Sequence, residues 1–270
     1  MGVVEGDRIV PMARLVEGAP ADMIGVIAEW ERLRAATPAI PVTGGIKLSE
    51  VELLAPVQRP GKVLAIGLNY ADHVRETGRQ MPEHQVWFSK LPGAVNGPFA
   101  GVEMSRASAC IDYEVEMVAV IGCRGRHIAR ADAAAHVFGY CVGNDVSARD
   151  WQNRTPQWLL GKSFDTHAPM GPWITTADEV GDPHCLGIRS LVNGELRQNS
   201  NTRELIFSVW DQIAHISQVM TLNPGDMIFT GTPSGVGIAM VPPNLLKLGD
   251  RVRCEIDKLG AIENVMIAEP

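Results

Sequence analysis

The sequence predicts a strand-rich α+β fold, and three observations lead to it. Its 270 residues include 27 glycines and 18 prolines, a density of turn formers that suits many short strands better than a helical bundle. Short apolar runs recur along the chain, among them Lys62–Ile66, Asp112–Ile121 and Val137–Gly143, and such runs read as buried strands. Helical spacing is confined to a few segments, of which Arg203–Met220 is the longest. With 46% hydrophobic and 20% charged residues, the chain has the composition of a folded protein with a substantial core.

The N-terminal part differs from the rest. Val3–Val10 and Leu48–Leu54 read as short strands, and between them Met23, Ile24, Ile27, Trp30 and Leu33 recur at helical spacing. A turn-rich stretch, Thr37–Gly45, follows that helix. Pro56 and Pro60 bracket a junction, because proline removes a ladder donor and restricts its predecessor. The expected organisation is a small N-terminal segment, 1–57, and a main body, 58–270. The body opens with the strand Lys62–Ile66, after which Asn69 is expected to cap a helix carrying Asp72 in its first turn. Gly78–Pro98 reads as irregular, and strands return at Asp112–Ile121 and Val137–Gly143. In Arg203–Met220, Ile206, Trp210, Ile213 and Met220 share one stripe, with Asn201 or Thr202 as cap. Asp226–Ile267 reads as short strands joined by glycine turns.

A net charge of −7 and a pI near 5.5 give no bulk electrostatic reason to bind nucleic acid or an anionic membrane. No apolar run approaches the roughly 20 residues that span a bilayer. The first residues lack the basic start and apolar core of a secretory signal. Gly2 invites myristoylation, but position 6 is Gly where that motif needs Ser or Thr. Cys110, Cys123, Cys141, Cys185 and Cys254 are dispersed, with no Cys-x-x-Cys pair. Reduced, mostly buried thiols in a cytoplasmic protein fit better than a disulfide or zinc framework. Several enzyme classes also lose ground. Gly161-Lys162-Ser163 resembles the end of a phosphate loop, but Pro156 stands where its first glycine belongs. Gly161–Asp165 resembles a nucleophile elbow with Asp in place of the last glycine.

The chemistry-bearing residues cluster in a few motifs. Side chains alternate along Asp112–Val120, so Glu114 and Glu116 share a face with Val118 and Val120. Two such carboxylates need a cation or a shared proton, and oxygen ligands suit Mg²⁺ or Mn²⁺. Alone, the pair fits a solvated strand edge equally well. If a helical turn begins at Asp145, then Asp145, Arg149 and Gln152 fall on one face, a metal ligand beside two donors for a substrate acid. A capping Asp with a surface Asp–Arg pair is the plainer alternative. His73 and Glu76 are neighbours at i, i+3, which allows Glu76 to orient the imidazole as a general base; an exposed pair is the commoner outcome of that spacing. Lys162 can meet a substrate carboxylate or enolate, or pair with Asp165. In Phe229–Gly237, backbone donors and the Thr232 hydroxyl can hold an anion, or the segment is a structural turn.

In this order the motifs resemble the fumarylacetoacetate hydrolase family. The resemblance rests on Gly67–His73, Asp112–Glu116, Gly143–Asp150, Lys162–Asp165 and Phe229–Pro233, and it spans most of 58–270. It implies a mixed β-sandwich roll with flanking helices, a homodimer, and a Mg²⁺ or Mn²⁺ site. By the same resemblance Glu114, Glu116 and Asp145 are the metal ligands, and His73 and Glu76 form a dyad on a mobile lid. Arg149, Gln152, Lys162 and Thr232 match positions that meet the substrate's oxo-acid end. The family has a lysine directly before proline where this chain reads Ser89-Lys90-Leu91-Pro92, which weakens transfer of a role to Lys90.

The function expected from these residues is metal-dependent hydrolysis of a C–C bond in a small 2,4-dioxo acid, such as an acylpyruvate, in catabolism. His73 would activate water and Lys162 would stabilise the pyruvate enolate. The alternative is an oxaloacetate decarboxylase or an oxo-acid hydratase or isomerase on the same metal site. Gln80–Trp87 is expected to line the distal part of the pocket.

Overall fold

The computed structural model describes residues 1–37 and 44–270, so most of the turn-rich stretch Thr37–Gly45 lies outside the described residues. The chain forms two compact units, Met1–Leu53 and Leu54–Pro270.

In the first unit, β1 (Gly2–Glu5) and β2 (Arg8–Pro11) form a hairpin, and β3 (Ile46–Lys47) pairs with β2. The single strand expected at Val3–Val10 is thus two, because Gly6, at φ +58°, reverses the chain. Helices α1 (Met12–Leu15), α2 (Met23–Ala28) and α3 (Trp30–Ala36) follow β2, with Asp22 capping α2 through the Gly25 amide at 2.8 Å. Met12, Val16, Val26 and Leu33 form the core of this unit. Leu48–Leu54 is not a strand. Leu48 donates its amide to Asp7 O and Val51 to Leu48 O, so the donors close a turn instead of a ladder.

The second unit begins with β4 (Val63–Gly67), α4 (Ala71–Glu76), β5 (Val86–Lys90), β6 (Val95–Asn96), β7 (Val102–Met104) and β8 (Ile111–Asp112). Next come β9 (Val115–Ile121), β10 (Val137–Asn144), β11 (Ser147–Ala148), α5 (Arg149–Gln152), β12 (Ala168–Thr176) and α6 (Ala177–Val180). It ends with β13 (Gly187–Val192), β14 (Glu195–Asn201), α7 (Val209–Val219), β15 (Met227–Phe229), β16 (Arg251–Ile256) and β17 (Gly260–Ala268). Seven strands form one sheet in the order β5-β4-β15-β9-β10-β12-β6, and five form another, β14-β13-β16-β17-β7. The two sheets pack through β9, β10 and β12 against β13, β16 and β17. This is the strand-rich roll that the sequence led us to expect.

Every residue of β9 is buried, and its pleat explains why. Val115, Met117, Ala119 and Ile121 join Ile188, Val252, Cys254 and Ile262 in the core between the sheets. Each such large side chain contributes about 1.5–3 kcal/mol of burial. The opposite face of β9 carries Val118 and Val120 and, at its start, Glu116. The strand that holds the core therefore also aims acids at the other side of the sheet.

Several local expectations change. Asn69 caps nothing: Tyr70 occupies the N-cap of α4, and the Asn69 amide donates to Phe207 O and Thr230 O and accepts from the Phe207 amide. Those three buried backbone groups need partners more than the short helix needs a cap. The same clamp shortens the helix expected at Arg203–Met220. Ile206 donates its amide to Asn69 O, so α7 starts only at Val209, under a capping box of Ser208 and Asp211. Gly78–Pro98 is not wholly irregular, since β5 pairs antiparallel with β4 along Val86–Lys90. The β13–β14 hairpin, turned at Asn193-Gly194, was absent from the expected strands although that dipeptide is a strong hairpin signal. All five cysteines are free, but only Cys141 and Cys254 are buried; Cys123 and Cys185 are exposed. Among the described residues no helix is long and apolar enough to cross a membrane.

His167 is fully buried, its Nε2 donating to Glu103 O at 2.9 Å while Nδ1 has no partner. Burial pushes its pKa down to about 4, against the pull of the Glu103 carbonyl. The unfolded chain therefore binds a proton here before the folded one does. The stability tied to neutral His167 is complete above the ordinary histidine pKa of about 6.5 and is lost as pH falls towards 4. The expected loss is about 3 kcal/mol. Urea denaturation at pH 7.5 and 4.5 will show a smaller acid loss in His167→Gln than in the wild type; equal losses would remove His167 from the account.

Candidate active site

The ends of β9 and β10 are tied together just ahead of the sheet. Glu114 donates its amide to Asn144 Oδ1 and accepts the Asp145 amide on its carbonyl, both at 2.9 Å. This lock brings the carboxylates of Glu114, Glu116 and Asp145 to one place, with one oxygen of each within 4.8 Å of the others. All three are buried.

Cations thread between them. Lys162 donates to Glu114 Oε2 at 2.7 Å and to Asp145 Oδ2 at 2.6 Å. Lys90, at the end of β5, donates to Asp145 Oδ1 at 2.6 Å, to Val146 O and to Lys162 O. Arg149 bridges Asp112 and Glu114, at 2.8 and 2.6 Å, and donates to Gln152 Oε1. The expectation that Asp145 and Arg149 share a helical face is therefore corrected. β11 separates them, and Arg149 turns to Asp112 and Glu114 instead.

The electrostatics follow from this wiring. Burial alone would raise the Glu114 pKa, but Lys162 and Arg149 override it and bring it down to about 2. Burial and the neighbouring Asp145 and Glu114 carboxylates push Glu116 well above the carboxylate range; its own donor is the Gly231 amide at 2.8 Å. Burial lowers the Lys90 pKa despite Asp145, whereas Asp145 and Glu114 outweigh burial at Lys162 and raise it. Four buried carboxylates, Asp112, Glu114, Glu116 and Asp145, face three buried cations, Lys90, Arg149 and Lys162. With all four carboxylates ionised the cluster is one positive charge short, which, with burial, is why Glu116 resists ionising, and the atoms that face the deficit are all oxygens. A hard divalent cation fits such a set.

The cluster floors a cleft of about 390 Å³ that His73 and Glu76 also line. Their side chains meet at 3.1 Å, His73 Nδ1 to Glu76 Oε2. With a carboxylate as partner, Nδ1 carries the proton and Nε2 is left as the basic nitrogen. Asp72 sets the start of α4, accepting from the His73 amide and, on its other oxygen, from Ser200 Oγ at 2.6 Å. Glu76 Oε1 accepts from the Gly235 amide at 2.9 Å. Gly235 has φ +102°, and a Cβ there would stand 2.0 Å from Arg197 O. Gly235→Ala is therefore expected to displace the loop, free Glu76, and lower kcat by about 10-fold at a stability cost of roughly 1–3 kcal/mol. Unchanged kcat in a folded variant would show that the Gly235 amide does not position the dyad.

Gln152, Lys162 and Thr232 line the same cleft, and so does Arg149. The Thr232 hydroxyl is already engaged, donating to Val115 O and accepting from Gln198. Gln80–Trp87, expected along the distal wall, is not among the lining residues. Phe88, Trp158 and Ile238 line it instead, while Gln85 faces away and donates to Asp211 O. Phe88 and Trp158 meet edge to face at 5.5 Å, and Lys162 Nζ lies 5.0 Å from the Phe88 ring centroid. Two supporting residues, Asp112 and Gln198, were given no role by the sequence reading, and the role of a third, Lys90, was left weak. Asp112 accepts from Arg149 and from the Gly237 and Ile238 amides. Gln198 accepts from the Val115 amide and donates to Thr232 and Pro233. Lys90 had a signal, a lysine closing an apolar strand.

A roll whose central strands present buried acids beneath a His–Glu pair defines an enzyme site built for a divalent cation. Residues 62–267 match the fumarylacetoacetate (FAA) hydrolase C-terminal family model, and the chain belongs to that family. It is 49% identical over 269 residues to a Bos taurus protein named oxaloacetate tautomerase, mitochondrial, covering 97% of this chain and 85% of that one. A Homo sapiens protein of the same description is 48% identical over 236 residues, covering 87% and 74%. Among solved structures, the maleylpyruvate hydrolase of Sphingobium sp. SYK-6, in complex with manganese(II) and pyruvate, superposes with a TM-score of 0.85 at 36% identity. That match covers 100% of this chain and 96% of the other. Enzymes of the family use a divalent metal, which agrees with the Mg²⁺ or Mn²⁺ expected from the sequence.

Two expectations are corrected by these relatives. Hydrolysis of a C–C bond gives way to the alternative on the same metal site, because the relatives at 48–49% identity are named for tautomerising oxaloacetate. The expectation of a cytoplasmic protein is overturned by the same relatives, which are named as mitochondrial.

Proposed function

We propose that the protein is a metal-dependent tautomerase that interconverts the keto and enol forms of oxaloacetate or a close 2-oxo acid. The observation that carries this reading is the 49% identity, along 97% of the chain, to a protein named for that reaction. The cleft supplies suitable chemistry. Glu114, Glu116 and Asp145 would hold the Mg²⁺ or Mn²⁺ ion, which would supply positive charge against the charge developing on the 2-oxo oxygen. Arg149 and Lys162 stay cationic and orient the oxo-acid end, with Gln152 and Thr232 beside them. His73 Nε2 takes a proton from C3 of the keto form while Glu76 holds the ring in register. Return of a proton to the 2-oxo oxygen gives the enol, so no atom is gained or lost.

A small N-terminal segment, 1–57, joined to a catalytic domain, 58–270, and assembly as a homodimer belong to the same proposal. The test follows the ultraviolet absorbance of enol oxaloacetate as it decays to the keto form, with and without Mg²⁺ or Mn²⁺. Metal-dependent acceleration over the buffer rate is expected. A rate equal to that of buffer would sink the reading, and pyruvate formed in step with the decay would replace it with decarboxylation.

A further inference from the structure

The buried cluster offers its cations to one end of the substrate: Arg149 and Lys162 line the cleft and are already paired with Asp112, Glu114 and Asp145. Oxaloacetate carries a second carboxylate. Much of the remaining cleft lining is apolar, including Phe88, Trp158, Val236 and Ile238, and an unpaired carboxylate against such a wall is costly.

One cation lining the cleft is uncommitted. Arg79 is exposed there, and among the described residues its guanidinium makes no hydrogen bond or ion pair. Its backbone is nevertheless fixed. Gly78, at φ +66°, ends α4 with its amide on Arg75 O at 3.2 Å, and the Arg79 amide returns to Val74 O at 3.3 Å. This paired closure is a Schellman cap, which gives the residue after the glycine a set direction. Arg79 thus rides on the helix that carries His73 and Glu76.

We propose that Arg79 recognises the distal carboxylate of the substrate and makes the cleft selective for 2-oxo dicarboxylates. The proposal rests on the oxo-acid reading above. A guanidinium matches a carboxylate with two parallel donors, and the pair gains strength as the cleft closes and water leaves. Because Arg79 is tied to the end of the helix that carries the dyad, engagement of the distal carboxylate also sets His73 over C3.

Calorimetry on the Mn²⁺-loaded enzyme tests this with two unreactive acids that differ only at the distal group, malate and 2-hydroxybutanoate. The wild type is expected to favour malate by about 10- to 100-fold. Arg79→Ala removes that preference by weakening malate alone, and Arg79→Lys retains part of it. For oxaloacetate turnover, Arg79→Ala raises KM by a similar factor. Equal weakening of both acids in Arg79→Ala, or no preference in the wild type, overturns the proposal. Charge discrimination without tautomerase activity would leave Arg79 in place and remove the reaction assigned to the cleft; tautomerase activity without discrimination would do the reverse.

Discussion

Glu116→Gln is expected to lower metal-dependent turnover by about 10³-fold or more while leaving the fold intact. The amide keeps an oxygen to accept the Gly231 N–H at 2.8 Å. It removes a carboxylate that burial, Asp145 and Glu114 all disfavour as an anion. The metal-free variant should therefore melt no lower than the metal-free wild type, and the relief of repulsion can raise its midpoint. The loss falls elsewhere. Without Glu116 the remaining acids, Asp112, Glu114 and Asp145, are matched by Lys90, Arg149 and Lys162, so the deficit that attracts a cation is gone. Thermal melts with and without Mn²⁺ separate the effects: the wild type gains stability with the metal and Glu116→Gln does not. A variant that keeps both the metal-induced shift and the activity would take Glu116 out of the ligand set.

How much of this site can be read from sequence depends on which interactions are local. The alternation of Glu114 and Glu116 along a strand and the i, i+3 spacing of His73 and Glu76 are set by backbone geometry alone. The structure brings all four into one cleft, although the expected strand is broken and Glu114 lies in the gap between β8 and β9, held there by Asn144 and Asp145. The tie between Glu114 and Asn144–Asp145, 30 residues on, is a tertiary event, and so is the hold of Lys90 on Asp145, 55 residues apart. Arg149 shows the cost of local reasoning. Helical spacing aims it at Asp145, but Asp112, from another strand, competes for the guanidinium and wins. Asn69 fails for a related reason, because buried carbonyls from 138 and 161 residues away claim its amide. The missed β5 and the β13–β14 hairpin are short elements whose stability comes from neighbouring strands rather than from their own pattern.

The expectation of hydrolysis failed for a chemical reason. A His–Glu dyad facing a divalent site can abstract a proton from water or from a carbon next to a carbonyl. Neither the spacing of the dyad nor the ligand set distinguishes hydroxide attack from enolisation. The distinction lies in the distal wall and in how much water remains there. That wall is assembled from Phe88, Trp158 and Ile238, which come from three separate stretches of chain.

His73→Ala therefore carries the most information about mechanism. In the proposed reaction His73 is the group that takes the C3 proton, and its loss should lower kcat by about 10²- to 10⁴-fold. Binding of Mn²⁺ and of malate should persist, since Glu114, Glu116, Asp145 and Arg79 are untouched. Glu76→Gln should fall between this variant and the wild type. The single amide oxygen can accept from Nδ1–H or from the Gly235 N–H but not from both as the two carboxylate oxygens do, and it no longer stabilises the imidazolium that forms once the proton has moved. Deuterium at C3 of the substrate provides the check on the step itself. Where proton abstraction limits turnover, the wild type discriminates against C3 deuterium, and the slow residual reaction of His73→Ala loses its exchange of that deuterium with solvent above the buffer rate. A His73→Ala enzyme that still exchanges C3 deuterium as fast as the wild type would assign proton transfer to another group in the cleft. Lys162 is held by Glu114 and Asp145 with its pKa raised, which disfavours it as that group.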